Sequence, residues 1–572
     1  PLSDRVILWT RVTPDSTVTG NISVSYDIAL DSGFTQMVYT ANTIAKPERD
    51  FTVKVDAANL SPNTYYYYRF HALNKTSIIG RTKTLPVGAI DTLRFAVVSC
   101  ANYAMGYFHA YEEIARRNDV EAVIHLGDYL YEYGDPAFVP DHEHSPAQEI
   151  LNLMEYRMRH SQYKLDAQLR YAHQQYPFIC VWDDHEIAND AWTGGAENHD
   201  DASEGLWADR KAAALKAYEE WMPIRLPDLN DSTRIYRTFQ YGDLAKFIML
   251  DTRHHGREEQ SSFGTTNNDP NRTLLGQDQL AWFEQELDSA TTQWKMIGQQ
   301  VMIAPLRFLG APLNQDQWDG YPAERQKIYD HILSDSIENV VVLTGDIHSS
   351  WANDLPYDSS YDPATGANSV AVEFVATSVS SIGSPINVPL NILQAANDHV
   401  KYANLDQRGF VIMDVNTQRT QGEWYHLSSV LQDSFTTDFA TGWYVNAGER
   451  FLRQANAPSP PSSIVNQPPA PFSTWENAVL SNSPQLSPTL TVLATYPNPF
   501  TSNFVVEYHL QRKGKVHFLL TDAQGKEVRK IDSGEKNAGL YVVKVETQDL
   551  PQGIYYLTCV VNGERVGKVL LH

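Results

Sequence analysis

The chain has 572 residues, a formal net charge of −24, 42% hydrophobic residues and 20% charged residues. That length is too great for one hydrophobic core and predicts about three domains. The negative charge argues against a nucleic-acid partner, which needs a basic surface, and no apolar run is long enough to span a membrane. The chain opens on Pro1 without an initiating Met, so we expect a trimmed sequence whose N-terminus says nothing about targeting.

Residues 1–88 are predicted to form a β-sandwich of the fibronectin type. A turn at Leu60–Asn63 leads into a strand with four consecutive tyrosines, a pattern typical of such sandwiches. The predicted strands are Val6–Val12, Ile22–Leu30, Met37–Thr43, Phe51–Val55 and Tyr65–Ala72. Because no reactive cluster occurs here, we expect a packing or lid domain.

Residues 92–455 alternate apolar strands with amphipathic helices, which predicts an α/β domain with a mixed or parallel sheet. Apolar residues recur at helical spacing within 108–117, 215–222 and 280–287. Two long insertions, at about 135–175 and 256–275, are rich in polar and aromatic residues. We expect both insertions to form walls of a site.

The remaining chain is predicted to be a linker followed by a small all-β domain. Residues 456–490 are rich in Pro, Ser and Asn, which is typical of a semi-extended linker. Residues 491–572 contain alternating strands with turn signals such as 522–525 and Asn562-Gly563, which predict a β-sandwich.

Three cysteines cannot all pair, so no disulfide framework is expected. Cys180 and Cys559 lie in strand-like apolar runs and are predicted to be core residues. Cys100 differs, because it follows a strand that ends beside other candidate ligands.

Five apolar strands of the central region end in residues that can bind metals or phosphate. The first, Ala122–Leu126, runs into Gly127-Asp128, with Tyr131 three residues further on. The others are Arg94–Ser99 before Cys100, Phe178–Trp182 before Asp183-Asp184-His185-Glu186, Phe247–Leu250 before Asp251-Thr252-Arg253, and Val340–Leu343 before Thr344-Gly345-Asp346-Ile347-His348. Because open α/β sheets place ligands at the carboxyl ends of strands, the set predicts a polynuclear metal site in one crevice.

The residue types suit a two-metal site for phosphate-ester hydrolysis, which needs a bridging carboxylate and further ligands for each metal. The predicted metal ligands are Cys100, Asp128, Tyr131, Asp184, Asp346 and His348. Asp128 is the natural bridge, and Tyr131 can add a phenolate, which a trivalent iron favours. Asp184 and Asp346 offer the oxygen ligands that Ca²⁺ takes.

Two further residues have predicted catalytic roles. His185 is placed to protonate a leaving group, and Arg253 to hold a phosphate oxygen. Each candidate also has an ordinary structural interpretation: Tyr131 as a wall aromatic, Asp184-His185-Glu186 as a helix cap, and Asp251-Thr252-Arg253 as an ion pair. The joint placement of the residues, and no single one, favours the site.

The order of five motifs resembles the PhoD-type alkaline phosphatases. These motifs are Ser99-Cys100, the GDYLY run at 127–131, the WDDHE run at 182–186, the LDTR run at 250–253 and the LTGDIHSSW run at 343–351. The resemblance covers residues 1 to about 425 and extends to 8–11, 271–276 and 319–322. It implies a metallophosphoesterase with a fibronectin-like N-terminal domain and a four-layer αββα catalytic domain.

The resemblance also implies a ligand set. Cys100, Asp128, Tyr131 and His348 would hold Fe³⁺, as the tyrosine of the related purple acid phosphatases does. Asp128, Asp184 and Asp346 would hold one or two Ca²⁺ ions.

The chain departs from the wider metallophosphoesterase pattern in ways that leave the second metal's ligands incomplete. Cys100 replaces the usual Asp-x-His, Asp184 stands where Asn is usual, and Gln299-Gln300 stand where a His is expected. Asn189 and Asp190 are candidates to complete the set, and Asn189 is also a predicted substrate-binding residue.

The C-terminal region is similar to type A sorting domains of the type IX secretion system. The motifs are Tyr496-Pro497-Asn498-Pro499-Phe500, Gly553-Ile554-Tyr555-Tyr556 and a closing 567–571. This system exports proteins across the outer membrane of Bacteroidetes-like bacteria, so the resemblance implies a secreted or cell-surface enzyme that contacts the secretion machinery. A plain sandwich that binds carbohydrate or another surface is the alternative.

We therefore expect a secreted, metal-dependent phosphatase that releases inorganic phosphate from monoesters, and in which a metal-activated hydroxide attacks phosphorus. One alternative is a phosphodiesterase of the phospholipase D type that uses the same residues. An alternative of another class is a surface-displayed binding or adhesion protein with an inactive site.

Overall fold

The computed structural model describes residues 1–14, 20–134, 136–228, 231–261, 268–383, 386, 388–461, 467–471, 490–496, 503–510, 513–522, 526–537, 539–551, 554–561 and 564–571. The chain divides into two units, Pro1–Phe472 and Ser473–His572. Among the described residues, no helix combines the length and apolar character needed to cross a bilayer.

Residues 6–83 form two antiparallel sheets around one small core. The first pairs β1 (Val6–Arg11) with β4 (Thr52–Ala57). The second has the order β3-β2-β5-β6, with β7 also on β5; its strands are β2 (Ile22–Ala29), β3 (Met37–Ala45), β5 (Tyr65–Ala72), β6 (Lys75–Thr76) and β7 (Gly80–Lys83). Leu8, Val24, Val53 and Phe70 pack between the two sheets. The strands predicted from alternation are confirmed, with ends shifted by a few residues.

The central region contains two seven-stranded mixed sheets. The first has the order β10-β9-β8-β20-β21-β22-β23, from β8 (Thr92–Val98), β9 (Ala122–His125), β10 (Phe178–Cys180), β20 (Gly409–Asn416), β21 (Arg419–Leu427), β22 (Thr437–Asn446) and β23 (Arg453–Ala455). In this sheet β8, β9 and β10 are parallel.

The second sheet has the order β11-β12-β13-β16-β18-β17-β19. Its strands are β11 (Arg237–Tyr241), β12 (Ala245–Met249), β13 (Trp294–Gly298), β16 (Val340–Thr344), β17 (Ser350–Pro356), β18 (Ser369–Val375) and β19 (Val400–Asn404). Here β12, β13, β16 and β18 are parallel. A separate hairpin joins β14 (Arg307–Phe308) to β15 (Ala311–Pro312).

The two sheets pack face to face, and helices cover their outer faces. Phe95 and Ile124 of the first sheet share a core with Phe247, Met296 and Phe374 of the second. The helices are α1 (His109–Arg116), α2 (Leu153–Leu165), α3 (Ala167–Gln175), α4 (Asp201–Glu204), α5 (Trp207–Trp221), α6 (Gly276–Asp288), α7 (Pro322–Ser334) and α8 (Leu390–Ala396). Residues of α1, α2, α3 and α5 pack on the first sheet, and residues of α6, α7 and α8 on the second.

The insertion at 135–175 contains α2 and α3, which the sequence analysis missed when it treated this stretch as a wall of the site. A capping box starts α2, since Asn152 accepts from the Glu155 amide while the Glu155 side chain accepts from the Asn152 amide. Tyr156, Tyr163 and Leu169 of these helices are buried in the core beneath them. In the second insertion, residues 262–267 lie outside the described part of the chain.

The C-terminal unit has two antiparallel sheets, β24-β25-β28 and β27-β26-β29-β30. Its strands are β24 (Leu490–Tyr496), β25 (Asn503–Leu510), β26 (Gly514–Asp522), β27 (Glu527–Lys536), β28 (Gly539–Glu546), β29 (Ile554–Val561) and β30 (Glu564–Leu571). The motif residues 497–500 and Gly553, the turns at 523–525 and 562–563, and residues 462–466 and 472–489 of the predicted linker lie outside the described residues.

All three cysteines are free and buried. Cys180 packs in the core of the first central sheet, and Cys559 in the core of the C-terminal unit. Both are core residues, as predicted.

Candidate metal centre

The predicted site residues follow strands of both central sheets and meet at one edge. The backbone NH of Cys100 donates to Gly127 O (3.2 Å), and that of Ala101 to Asp128 O (2.9 Å), which joins the loops after β8 and β9. A Cβ atom added to Gly345 would lie 2.7 Å from the Cβ of Ser99, so the loop after β16 touches the loop after β8. The glycine before Asp346 is therefore required for the two sheets to approach here.

Four of the predicted metal ligands have left-handed backbone conformations. Their φ angles are 58° at Cys100, 53° at Asp128, 65° at Asp346 and 55° at His348. Non-glycine residues rarely adopt this region, and such residues concentrate at functional sites. The conformation turns the chain sharply as it leaves each buried strand.

The first group of donors contains Cys100, Asp128 and His348, whose candidate ligand atoms lie within 4.8 Å of one another. Tyr131 joins them, because its hydroxyl donates to Asp128 Oδ2 (2.9 Å) and lies 3.0 Å from His348 Nε2. His348 Nδ1 is 3.0 Å from the carbonyl oxygen of Gly383, to which it donates. That bond leaves Nε2 directed at the group, as in metal-bound histidines.

The second group contains Asp183, Asp184 and Asp346, and Asp184 also clusters with Asp128 and His185, in each case within 4.8 Å. Three carboxylate oxygens here are buried without a hydrogen-bond partner among the described residues: Asp128 Oδ1, Asp183 Oδ2 and Asp184 Oδ1. Buried polar atoms normally have partners, so these oxygens fit a bound cation.

The electrostatics of the carboxylates support the same interpretation. Burial raises the pKa of Asp128 and of Asp183 well above the usual range, and raises the pKa of Asp346 to about 6. Burial opposes the ionisation of Asp184 as well, but Arg253 and His185 lower its pKa. Metal cations in the site would stabilise the ionised carboxylates. Hard oxygen donors beside Cys, His and Tyr form a donor set that suits two different metals.

Arg253 is completely buried between carboxylates. Nε donates to Asp183, Nη1 to both oxygens of Asp316 (2.7 and 2.6 Å) and Nη2 to Asp346 (2.7 Å). Its predicted contact with a phosphate oxygen therefore requires the guanidinium to exchange one of these carboxylates for the substrate, and this role stays a prediction.

His185 and Asn189 share one partner, the buried Glu132. His185 Nδ1 is 2.7 Å from Glu132 Oε2, and the Asn189 backbone NH donates to Glu132 Oε1 (2.7 Å). Although burial opposes a charge on His185, Glu132, Asp184 and Asp128 raise its pKa well above the usual range. The Asn189 side chain donates to Glu197 (2.8 Å), so its predicted substrate contact also stays a prediction.

Sequence reasoning missed several residues that hold the site together. Glu186 accepts from the backbone NH groups of Asp128 (3.0 Å), Tyr129 (2.7 Å) and Asp183 (2.8 Å), which fixes two ligand loops to each other. Its position in the WDDHE run was the available signal. Asp316 carried no comparable sequence signal, because it does not directly follow an apolar strand as the predicted site residues do.

Ser381 and Arg159 were also missed, and both fix the loop of Tyr131. Ser381 Oγ lies within hydrogen-bond distance of the Tyr131 hydroxyl oxygen (2.7 Å) and of the Cys100 carbonyl oxygen (2.9 Å). The buried Arg159 of α2 donates to the carbonyl oxygens of Tyr131 and Tyr133.

Gln299 and Gln300, which stand where a histidine was expected, make structural contacts. Gln299 Oε1 accepts from Trp318 Nε1 (2.7 Å), and Gln300 Oε1 accepts from the Thr252 NH (2.8 Å). Asp190, a candidate to complete the second metal's ligands, lies beside Asp184, because its backbone NH donates to Asp184 Oδ2 (2.5 Å). Burial, Asp316 and Asp184 raise the pKa of Asp190 to about 8.

Comparisons with known proteins agree with this geometry. A model of the PhoD-like phosphatase family matches residues 95–424, and a model of its N-terminal domain matches residues 1–86. The chain is 38% identical over 447 residues to alkaline phosphatase D of Bacillus subtilis (strain 168), with 74% of this chain and 75% of that protein covered. A solved structure described as "Structure of PhoD" has a TM-score of 0.74 at 36% identity, and the match covers 80% of this chain and 91% of that one.

Residues 494–571 match a secretion system C-terminal sorting domain. This domain marks the protein for export, to the cell surface or the medium, as the sequence predicted. Together with the two family models that span residues 1–86 and 95–424, the identity to alkaline phosphatase D establishes the family. The chain belongs to the PhoD-like phosphatase family.

Proposed function

We propose that the protein is a secreted, metal-dependent phosphatase that hydrolyses phosphate monoesters and releases inorganic phosphate. The observation that carries this proposal is a set of three buried carboxylate oxygens, on Asp128, Asp183 and Asp184, that have no hydrogen-bond partner in the described part of the chain and lie beside Cys100, Tyr131 and His348. An anionic substrate needs local cations in a protein of net charge −24, and Arg253 is neutralised by its carboxylates.

The donor chemistry favours two kinds of metal. Cys100, Asp128, Tyr131 and His348 would hold Fe³⁺, and Asp128, Asp184 and Asp346 would hold one or two Ca²⁺ ions, with Asp183 as a further oxygen donor. Such metals would supply Lewis acidity, which neutralises phosphate charge and makes water acidic enough to act as a nucleophile at moderate pH.

The remaining groups have roles that need no metal contact. His185 donates a proton to the leaving oxygen from Nε2, since Nδ1 is held by Glu132. Arg253 binds a non-bridging phosphate oxygen after exchange of one carboxylate, and Asn189 lies beside His185 to contact the substrate. These roles would give the site a proton donor and a phosphate anchor, both beside the carboxylate cluster.

The sorting domain supports a second part of the proposal. We infer that residues 491–572 are recognised by outer-membrane secretion machinery of the type IX kind, which exports the enzyme to phosphate esters outside the cell. No nucleic-acid partner is expected, because the acidic surface repels polyanions.

The test compares hydrolysis of nitrophenyl phosphate with hydrolysis of bis(nitrophenyl) phosphate by the full chain, after chelation and again after Ca²⁺ is added back. We expect monoester turnover to fall on chelation and to recover with Ca²⁺. Turnover of the diester alone would replace the proposal with a phosphodiesterase of the phospholipase D type. No turnover by protein that lacks bound iron would favour the binding-protein alternative.

A spectroscopic test addresses the iron. Protein loaded with Fe³⁺ should show a visible phenolate-to-iron absorption band that is absent from Tyr131→Phe. A band that persists in Tyr131→Phe would remove Tyr131 from the proposed ligand set.

A further inference from the structure

We propose that Glu132 is a positioning residue for phosphate-ester hydrolysis, and that its carboxylate holds the His185 ring so that Nε2 faces the reacting phosphate. The inference rests on the proposed function. Glu132 lies one residue beyond the predicted ligand Tyr131, but it acts on the proton donor.

The contacts of Glu132 account for both of its oxygens. Oε2 lies 2.7 Å from His185 Nδ1, and Oε1 accepts from the backbone NH of Asn189 (2.7 Å). The side chain is completely buried, and no Lys or Arg among the described residues forms an ion pair with it. A buried carboxylate destabilises the fold unless it is paired and hydrogen-bonded. Because no Lys or Arg in the described part of the chain pairs with Glu132, the His185 imidazole is its main charge partner.

Aromatic rings hold the imidazole in the same orientation. The ring centroid of Tyr131 lies 4.1 Å from that of His185 at an interplanar angle of 31°, and that of Tyr133 lies 5.2 Å away at 66°. A nitrogen of His185 lies within 4.8 Å of carboxylate oxygens of Asp128 and Asp184. Because Glu132 engages Nδ1, Nε2 is the nitrogen left for the site.

The chemistry follows from this orientation. The carboxylate accepts the Nδ1 proton, so a protonated ring presents its second proton on Nε2. As a water oxygen bonds to phosphorus and the bond between phosphorus and the leaving oxygen breaks, the leaving oxygen takes that bond's electron pair and the Nε2 proton, which gives a neutral alcohol and inorganic phosphate. His185 is left neutral with its proton on Nδ1, where Glu132 accepts it in a hydrogen bond.

Rates for esters whose leaving groups differ in basicity distinguish a role in proton donation from a purely structural role. A dinitrophenolate departs without a proton, whereas an alkoxide such as that of glycerol phosphate needs one. We expect Glu132→Gln to lower kcat/KM for glycerol phosphate on the order of 10²-fold, and at least about tenfold more than for dinitrophenyl phosphate. The matched control Glu149→Gln removes a carboxylate that binds Arg210 and Asn198, and it should lower both rates equally or not at all.

Two further variants make the test decisive. Glu132→Asp keeps the carboxylate but, being one methylene shorter, places it farther from His185. This variant should lose less kcat/KM than Glu132→Gln, with the same dependence on the leaving group, so the test stands even if Glu132→Gln folds poorly. If Glu132 acts through His185, the double variant Glu132→Gln/His185→Ala should lose no more on glycerol phosphate than His185→Ala alone.

The outcomes distinguish this inference from the proposed function. Equal losses on both esters, or additive losses in the double variant, would overturn the positioning role while the phosphatase stands. A wild-type protein that hydrolyses neither ester would overturn both.

Discussion

Cys100, Asp128, Asp346 and His348 pair reactive side chains with left-handed backbone, which costs roughly 1–2 kcal/mol at each non-glycine residue. Asp128 adds a second cost, since its Oδ1 is buried beside the oxygens of Asp184 and has no hydrogen-bond partner among the described residues. Single residues of this site therefore destabilise the metal-free fold, and bound metal offsets that cost.

The substitution Asp128→Asn should have opposite effects on stability with and without metal. In chelator-treated protein the amide replaces a carboxyl whose ionisation burial opposes, and it offers a donor to neighbouring carboxylates. We expect the thermal midpoint to rise by roughly 2–5 °C, equivalent to about 1–2 kcal/mol. In protein loaded with Fe³⁺ and Ca²⁺ the variant should unfold below the wild type and lose phosphatase activity, because it would lack a carboxylate that we propose as a metal ligand.

Calorimetry of both proteins in both states measures the effect. The exposed Asp433→Asn should change neither midpoint by more than about 1 °C, as is usual for surface substitutions. A lower midpoint for Asp128→Asn in the chelated state would show that the carboxylate stabilises the metal-free fold.

At the scale of elements, the edge strand β19 is tethered by a buried histidine. His399 precedes β19, and its Nε2 donates to the carbonyl oxygen of Pro305 (2.8 Å). Burial, helped by the facing cations Arg325 and Lys401 and opposed by the bond to Pro305, lowers the pKa of His399 to about 4. The neutral ring is thus part of the folded state.

This tether predicts a pH dependence of stability. In the unfolded chain the histidine has a pKa near 6.5, so unfolding takes up a proton below that value. The contribution of His399 is fully present above about pH 6.5 and is lost as the pH falls toward the folded-state value of about 4.

The measurement is chemical unfolding between pH 4.5 and 8 for the wild type and His399→Gln, whose amide keeps a donor but does not titrate. The variant should lose less stability per pH unit below about pH 6.5, by up to about 1.4 kcal/mol per unit. Parallel curves for the two proteins would show that His399 titrates alike in both states.

At the scale of the whole molecule, part of the predicted linker belongs to the first unit. Gln175 exchanges two hydrogen bonds with the backbone of the buried Ala470 (2.9 and 3.0 Å), and Arg94 donates to Pro460 O (2.7 Å). Tyr67 of β5 donates to Pro468 O. Residues 456–461 and 467–471 therefore bind both the N-terminal sheets and the first central sheet. We propose that the boundary of the catalytic part lies after Pro471.

Two truncations test this boundary. A chain that ends at residue 471 should keep the thermal midpoint of the first unit and its phosphatase activity. A chain that ends at residue 455 removes the Ala470 backbone that binds Gln175 and the Ser459 NH that donates to the buried Glu423 (2.6 Å). It should unfold roughly 5 °C lower, since each lost buried bond costs about 1–3 kcal/mol. Equal thermal midpoints for the two truncated chains would show that residues 456–471 act as a linker and do not stabilise the first unit.

The strand ends that carry the site could be predicted from the sequence. Asp128, Asp184 and Asp346 follow runs of consecutive buried, mostly apolar residues, and local composition is enough to recognise such runs. The motif order and the sorting-domain signature were also readable, because both reside in short contiguous stretches.

The residues that complete the site could be identified only from contacts between distant parts of the folded chain. Arg253 contacts Asp183, Asp316 and Asp346, which are 70, 63 and 93 residues away along the chain. The five strands that precede candidate site residues are divided between two sheets, with β8, β9 and β10 in one and β12 and β16 in the other. Such contacts depend on how separate layers pack, and local periodicity carries no information about distances between layers.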